Sequence, residues 1–285
     1  MQLASKPRGI FKPHPVLGWS LTPNKKVKVE FRNNVIQNVG ADGFRKVPAH
    51  SEHSSKGINF NLYGCSYTFG TGLKDEETLA NLLQIKNPEI NFNNRGVSGY
   101  GNVQSYLSFE TDILKGNVQA ALFLIHNVHR RRNIPHPERM KQFLSLDWHR
   151  IGVEHVPCYT ASEDGSFAIR FVPIWQPCLK GHGIDVFLPQ ERDYNSALIG
   201  TCQAIADLAD KHDVPVGFVL VSPISLTLRD DLSSLPNWLD IGLTGAEYTF
   251  APFDSHPNAR ANKIFAERLD TLVIDMKSMA LRQND

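Results

Sequence analysis

Six consecutive apolar residues, Ala120-Ala-Leu-Phe-Leu-Ile125, constrain the fold of this chain more than any other stretch. A strand with one wet face alternates apolar and polar residues. A run without alternation fits a strand covered on both faces, as in a parallel sheet between two helix layers. The preceding segments fit the same scheme. Ile58–Tyr63 predicts a first strand, and a helix over about 76–86 follows with Leu79, Leu82 and Leu83. Ile90-Asn-Phe-Asn93 predicts a second strand, followed by a helix over about 102–115. Strands alternating with helices predict an α/β protein, a three-layer α/β/α sandwich with a mostly parallel sheet. Further on, Tyr194–His212 reads as a helix and Val214–Val221 as a buried strand. Residues 225–246 are mixed, residues 248–253 suggest a last short strand, and Asn258–Met279 is a long amphipathic helix.

Two stretches stand outside this alternation. Residues 1–56 read as an N-terminal arm packing on the main domain of residues 57–285. In the arm, Pro7, Pro13, Pro15 and Pro23 break the early part, Val27–Phe31 alternates as a strand, and Asn33-Asn34 suits a turn before a return strand at Val35-Ile36. Ser51–Lys56 is a polar linker. Residues 128–192 are expected to form an inserted cap, because a structureless loop of that length is rare in a compact domain. The cap carries a predicted strand pair near Val153–Tyr159 and Phe167–Trp175, turning at Glu163-Asp-Gly-Ser166.

The net charge of +1 gives no electrostatic case for nucleic acid as a partner. The first residues contain no apolar h-region and no apolar run reaches membrane-spanning length, so a cytoplasmic protein without a membrane span is expected. The four cysteines, Cys65, Cys158, Cys178 and Cys202, match no zinc or Cys-x-x-Cys spacing. Cys158 and Cys178 sit where a hairpin would face them, but free thiols are the expectation in a reducing compartment. No metal and no organic cofactor is expected.

Chemistry-bearing residues fall after the predicted strands, where an open α/β sheet places its site. Ser66 follows the first strand in Gly64-Cys65-Ser66, a turn that a glycine can make sharply. Gly99 follows the second strand, Asn127 the third, and Asp254-Ser-His256 the last. Taken singly, each has a plainer reading: a serine in a glycine-rich turn, a turn glycine, a helix-capping asparagine, an N-cap aspartate before Pro257, a surface histidine. Cys65, next to Ser66, should point elsewhere and pack.

Together these residues resemble the ordered blocks of the SGNH (GDSL-type) hydrolase superfamily. Gly64-x-Ser66 with Thr68 and Gly70 resembles its first block. Asn94-x-Gly96-x-Ser98-Gly99-Tyr100-Gly101 resembles the second, Asn127 the asparagine of the third, and Asp254-Ser-His256-Pro-Asn258 the last. Leu17-Gly-Trp-Ser-Leu-Thr-Pro-Asn24 and Gly43-Phe-Arg45 look like the arm that precedes the first block in many bacterial members. Three departures stand out. Gly-Cys-Ser replaces Gly-Asp-Ser, Ile125-His-Asn-Val128 replaces Gly-x-Asn-Asp, and one residue rather than two separates Asp254 from His256.

The resemblance implies a flavodoxin-like fold with Ser66 as nucleophile, His256 as base, Asp254 as acid, and an oxyanion hole of Ser66, Gly99 and Asn127. The physics agrees, since a serine hydroxyl needs a base within hydrogen-bond reach and histidine has a suitable pKa. Each oxyanion donor is worth about 3 kcal/mol. The implied activity is a serine esterase acting on an O-acyl ester of a sugar, lipid or small molecule. The alternatives are acyl transfer from the same serine and a non-catalytic binding module. An α/β-hydrolase elbow would need glycine where Thr68 stands. His126 and His129 flank Asn127 without a zinc spacing. Arg130, Arg131 and Arg132 read as a solvated turn, or as holding an anionic substrate group if one faces the site. Trp148, Phe171 and Trp175 read as the core of the cap, with a stacking platform as the alternative.

Overall fold

The computed structural model describes residues 9–32, 35–50, 57–143, 146–163, 165–174 and 189–282. Ser51–Lys56, Asn33-Asn34, Trp175 and Cys178 therefore lie outside the described residues. In the arm, β1 (Phe11–His14) pairs antiparallel with β2 (Gly18–Leu21), and β3 (Lys26–Lys28) with β4 (Ile36–Asn38). The first hairpin corrects the expectation that prolines break this stretch. Pro13 sits opposite Trp19 in a two-stranded ribbon with open edges, where a residue without an N–H is tolerated.

The body follows in chain order: β5 (Ile58–Tyr63), α1 (Ser66–Phe69), α2 (Leu79–Lys86), β6 (Ile90–Asn94), α3 (Asn102–Leu114) and β7 (Ala120–Ile125). The cap holds α4 (His129–Arg132), α5 (Pro137–Phe143), α6 (Leu146–Arg150) and the antiparallel pair β8 (His155–Ala161) and β9 (Phe167–Pro173). Then come α7 (Glu191–Lys211), β10 (Val216–Leu220), α8 (Leu226–Leu232), β11 (Leu239–Asp240), β12 (Thr249–Phe250), β13 (Asp254–Pro257) and α9 (Ala259–Arg282).

Five parallel strands form the central sheet in the order β6-β5-β7-β10-β11. The chain winds outward from β5 to β6, then crosses back to β7 on the other side. Connections to either side of β5 leave a crevice at its C-terminal end, where an α/β sheet binds its ligand. The apolar run in β7 has the double burial it predicts. Leu122 and Leu124 pack with Leu79 and Leu83 of α2 and Leu269, Val273 and Met276 of α9. Phe123 and Ile125 pack with Phe109 of α3 and Leu198, Cys202 and Ile205 of α7. Burying each large side chain contributes about 1.5–3 kcal/mol.

A third apolar cluster lies above the crevice. It joins Ile10, Trp19 and Leu21 of the arm to Phe69, Val97 and Tyr100 of the body and Phe143, Trp148 and Val156 of the cap. Trp19 is its hub, with ring centroids 5.5 Å from Tyr100, 5.5 Å from Phe143 and 5.0 Å from Trp148. Phe171, read from sequence as cap core, is instead exposed against His155.

Two other elements depart from expectation. The helix expected over 76–86 is split, because Thr78 turns extended, donates its Oγ1 hydroxyl to Asp75 and caps α2 by accepting from the Asn81 N–H. The sheet's fifth strand, β11, arises from the mixed stretch, while residues 249–250 form an antiparallel ribbon with β13 outside the sheet. Among the described residues no helix is long and apolar enough to cross a membrane.

The arm is held by a buried ion pair. Arg45 Nη2 lies 2.7 Å and Nε 2.8 Å from Asp75 Oδ1, Nη2 also reaches the Leu73 carbonyl, and Nη1 reaches the Phe69 and Gly70 carbonyls. Asn38 completes the carboxylate's shell at 2.5 Å. Burial lowers the Arg45 guanidinium to about 10 despite Asp75, so the group stays charged. Removing one partner of such a pair strands the other charge. Arg45→Met is therefore expected to lower unfolding free energy by about 3–5 kcal/mol, measured by urea titration. A loss below about 1 kcal/mol would show that the pair does not hold the arm.

Candidate active site

Gly64 ends β5 with φ +152°, and a Cβ there would come within 2.3 Å of Thr68 Oγ1 and 3.1 Å of the Leu124 carbonyl. Only glycine fits this approach. The turn delivers Ser66 to the first residue of α1, 7% exposed at the floor of a cavity of about 620 Å³. Cys65 packs in the interior beside Arg132 and is not part of the cavity wall.

The loop after β6 is pinned against this turn. The Val97 N–H donates to the Gly64 carbonyl, Asn94 Nδ2 to the Thr68 carbonyl, and Ser98 Oγ lies 3.1 Å from Thr71 Oγ1. Gly99 adopts φ +90° under the Trp19 ring and lines the same cavity as Ser66. Trp19 Nε1 donates to the Ser98 carbonyl, and the Tyr100 hydroxyl donates back to the Trp19 carbonyl at 2.6 Å. The arm thus sets the loop that carries Gly99. Neither the Ser66 N–H nor the Gly99 N–H has an acceptor among the described residues.

The ribbon strand β13 brings the other two residues. His256 Nε2 lies 2.7 Å from Ser66 Oγ, and His256 Nδ1 lies 2.5 Å from Asp254 Oδ1. The same oxygen accepts the His256 backbone N–H at 2.7 Å. In an extended strand, residues two apart share a face, which is how a one-residue gap brings the carboxylate to its histidine. Tyr67 reinforces the arrangement. Its ring lies between His126 and His256, and its hydroxyl donates to the Ser255 carbonyl. Sequence reasoning missed Tyr67, and an aromatic directly after the serine was the available signal.

Burial works against charge on Asp254, but the hydrogen bonds and charge of His256 outweigh it and hold the carboxyl below its usual range. Burial, then the charges of Arg132 and His256, lowers His126 to about 3, so that ring is neutral at physiological pH. Among the described residues no group of three His, Cys, Asp or Glu side chains is placed to hold a metal.

Asn127 is not brought to this cavity. Its N–H donates to Ser222 Oγ at 2.7 Å and its Oδ1 accepts from Arg130 Nη1 at 3.1 Å. It lines a separate cavity with Tyr67, His126 and Ser222. The turn after β7 instead presents Val128 and, one helical turn later, Arg132 to Ser66's cavity. The arginine run is also not a uniform solvated turn. Arg130 pairs with Glu191 and Asn195 and Arg131 with Glu138, while Arg132 turns inward and donates to the Tyr100 carbonyl.

The folded Asp254 carboxyl titrates below the ordinary 3.8 of an aspartate. Its stabilisation is therefore complete above that value and is lost as pH falls through the folded one. The stability gap between wild type and Asp254→Asn, read by denaturant titration, is expected to be largest near pH 7 and to close toward pH 3. An equal gap at both pH values would show that the charge contributes nothing.

No family model matches the chain, and no curated protein does. Similar solved structures include a member of the lipolytic G-D-S-L family from Veillonella parvula, 13% identical, covering 75% of this chain and 96% of its own, with a TM-score of 0.42. The psychrotrophic esterase EstA from a Pseudoalteromonas species is 9% identical over 76% and 98% of the two chains, at 0.41. An acetylxylan esterase from Geobacillus stearothermophilus is 13% identical over 75% and 93%, also at 0.41. At this distance the likeness carries no residue roles, which rest on the geometry of this chain.

Proposed function

We propose that the protein is a serine esterase, a carboxylic ester hydrolase that cleaves an O-acyl ester through an acyl-serine intermediate on Ser66. The observation that carries this reading is the unbroken hydrogen-bonded line from Ser66 Oγ through His256 to Asp254 at the floor of an open cavity. Ser66 Oγ attacks the ester carbonyl carbon while its proton passes to His256 Nε2. Asp254 holds the imidazole by Nδ1 and stabilises the imidazolium. The developing oxyanion is taken by the N–H groups of Ser66 and Gly99, both without protein acceptors among the described residues. Collapse breaks the bond to the alcohol, which leaves with the proton from His256. Water, deprotonated by His256, then releases the acid and restores Ser66.

A cavity of about 620 Å³ suits a sugar-sized or short-chain ester, and its roof of Trp19, Phe143 and Trp148 is aromatic. The substrate class proposed is an O-acyl ester of a carbohydrate or small molecule.

Ser66→Ala is expected to cut p-nitrophenyl acetate hydrolysis by roughly a thousandfold or more and to abolish fluorophosphonate labelling. Equal rates in wild type and variant would overturn the proposal. Asn127→Ala separates the two views of that residue. From its position outside the cavity, kcat stays within about threefold of wild type, whereas an oxyanion donor would cost roughly a hundredfold.

A further inference from the structure

The cavity above Ser66 has an apolar roof, yet two arginines line it, and the carboxylate it also contains, Asp254, is taken by His256. Arg139 of α5 is 5% exposed, and its Nε and Nη2 have no hydrogen-bond partner among the described residues. Among the described residues its one bond is a long one, Nη1 to the Gly99 carbonyl at 3.4 Å. The guanidinium is held near the Phe143 ring at 5.6 Å and the Trp19 ring at 6.0 Å. Trp148, 4% exposed and also lining the cavity, has a buried Nε1 without a partner among the described residues. Arg132 lines the cavity too, and among the described residues neither arginine forms an ion pair with an Asp or Glu.

This arrangement is costly for the fold. A buried cation without a partner is strongly unfavourable, and so is each unpaired buried donor. Burial, reinforced by the repulsion of Arg132, lowers Arg139 to about 9, so it still carries its charge at neutral pH. The contrast with Arg45 is direct, because that buried guanidinium has a carboxylate and three carbonyls to satisfy it. What Arg139 and Trp148 lack is acceptors with negative charge. A guanidinium fork matches the paired oxygens of a carboxylate or phosphate. Arg139 touches the loop residue that lines the cavity with Ser66, so an anion bound there belongs to the molecule whose ester lies over the serine.

We infer that the cavity takes an ester bearing an oxyanion, carboxylate or phosphate, bound by Arg139 with Arg132 adding positive potential. This rests on the esterase reading for its ester and on the unpaired donors for its anion.

The test compares acetyl esters of one phenol, para-substituted with a carboxylate, a phosphate or a neutral methyl carboxylate. Wild type is expected to favour the charged esters by about tenfold or more in kcat/KM, through KM, and the larger of the two preferences identifies the anion. Arg139→Met should bring the ratio of charged to neutral ester near one. Arg139→Lys, which keeps the charge and loses the fork, should leave an intermediate ratio, and it decides the matter if the Met variant does not fold. Calorimetric titration of wild type with 4-hydroxybenzoate and with inorganic phosphate reads anion binding without turnover, and binding should be lost in Arg139→Met. Hydrolysis with no charged preference and no anion binding would overturn the inference and leave the esterase intact. Anion binding that depends on Arg139, with no ester cleaved, would keep the anion site and overturn the esterase. A charged preference unchanged in both Arg139 variants would also overturn the inference.

Discussion

The site depends on one backbone constraint, the left-handed exit of the chain from β5 at Gly64. No side chain fits between that residue, Thr68 and the Leu124 carbonyl. If the turn opened to admit one, Ser66 would leave the head of α1, and the Val97 N–H would lose the Gly64 carbonyl that positions the second loop. The turn therefore sets both the serine and the approach of Gly99. Its location follows from the winding of the sheet, since β6 and β7 flank β5 and their connections part above it.

A second layer of control comes from outside the sheet. The arm is clamped behind α1 by Arg45 and Asp75, and in front it places Trp19 over Gly99 and against Trp148 and Phe143. Floor and roof thus have different origins. The floor is built from the ends of strands, while the roof combines Ile10, Trp19 and Leu21 of the arm with Phe143 and Trp148 of the cap. Arg139 and Trp148, which line the cavity and carry unpaired donors among the described residues, both belong to the cap.

Much of the body was legible because burial writes itself into residue patterns. The β7 run announced a doubly covered strand, and the helix before Val216 and the last helix, α9, kept their apolar spacing. Ser66, Asp254 and His256 were legible as an ordered set, and their meeting in space supports that reading. The rest was less legible, for identifiable reasons. β11 is two residues long and has too little pattern to find. The hairpin of β1 and β2 was obscured by prolines that a two-stranded ribbon tolerates. Asn127 matched a motif by letter, but the turn after β7 presents the following residue, Val128, to the cavity. Arg139 gave no signal, because a helical arginine normally faces water and only the fold shows this one enclosed.

Asp254 and His256 sit two residues apart on one short ribbon, while Ser66 hangs from the sheet. The carboxylate–imidazole distance is thus a local property, set by three residues of extended chain. The imidazole–hydroxyl distance is a tertiary one, set by how the ribbon seats on Tyr67 and α9. A shift of the ribbon would carry base and acid away as a coupled unit, leaving their mutual contact intact and the serine without either. The serine–imidazole contact would then be lost in one concerted step rather than by a graded loosening of three independent contacts.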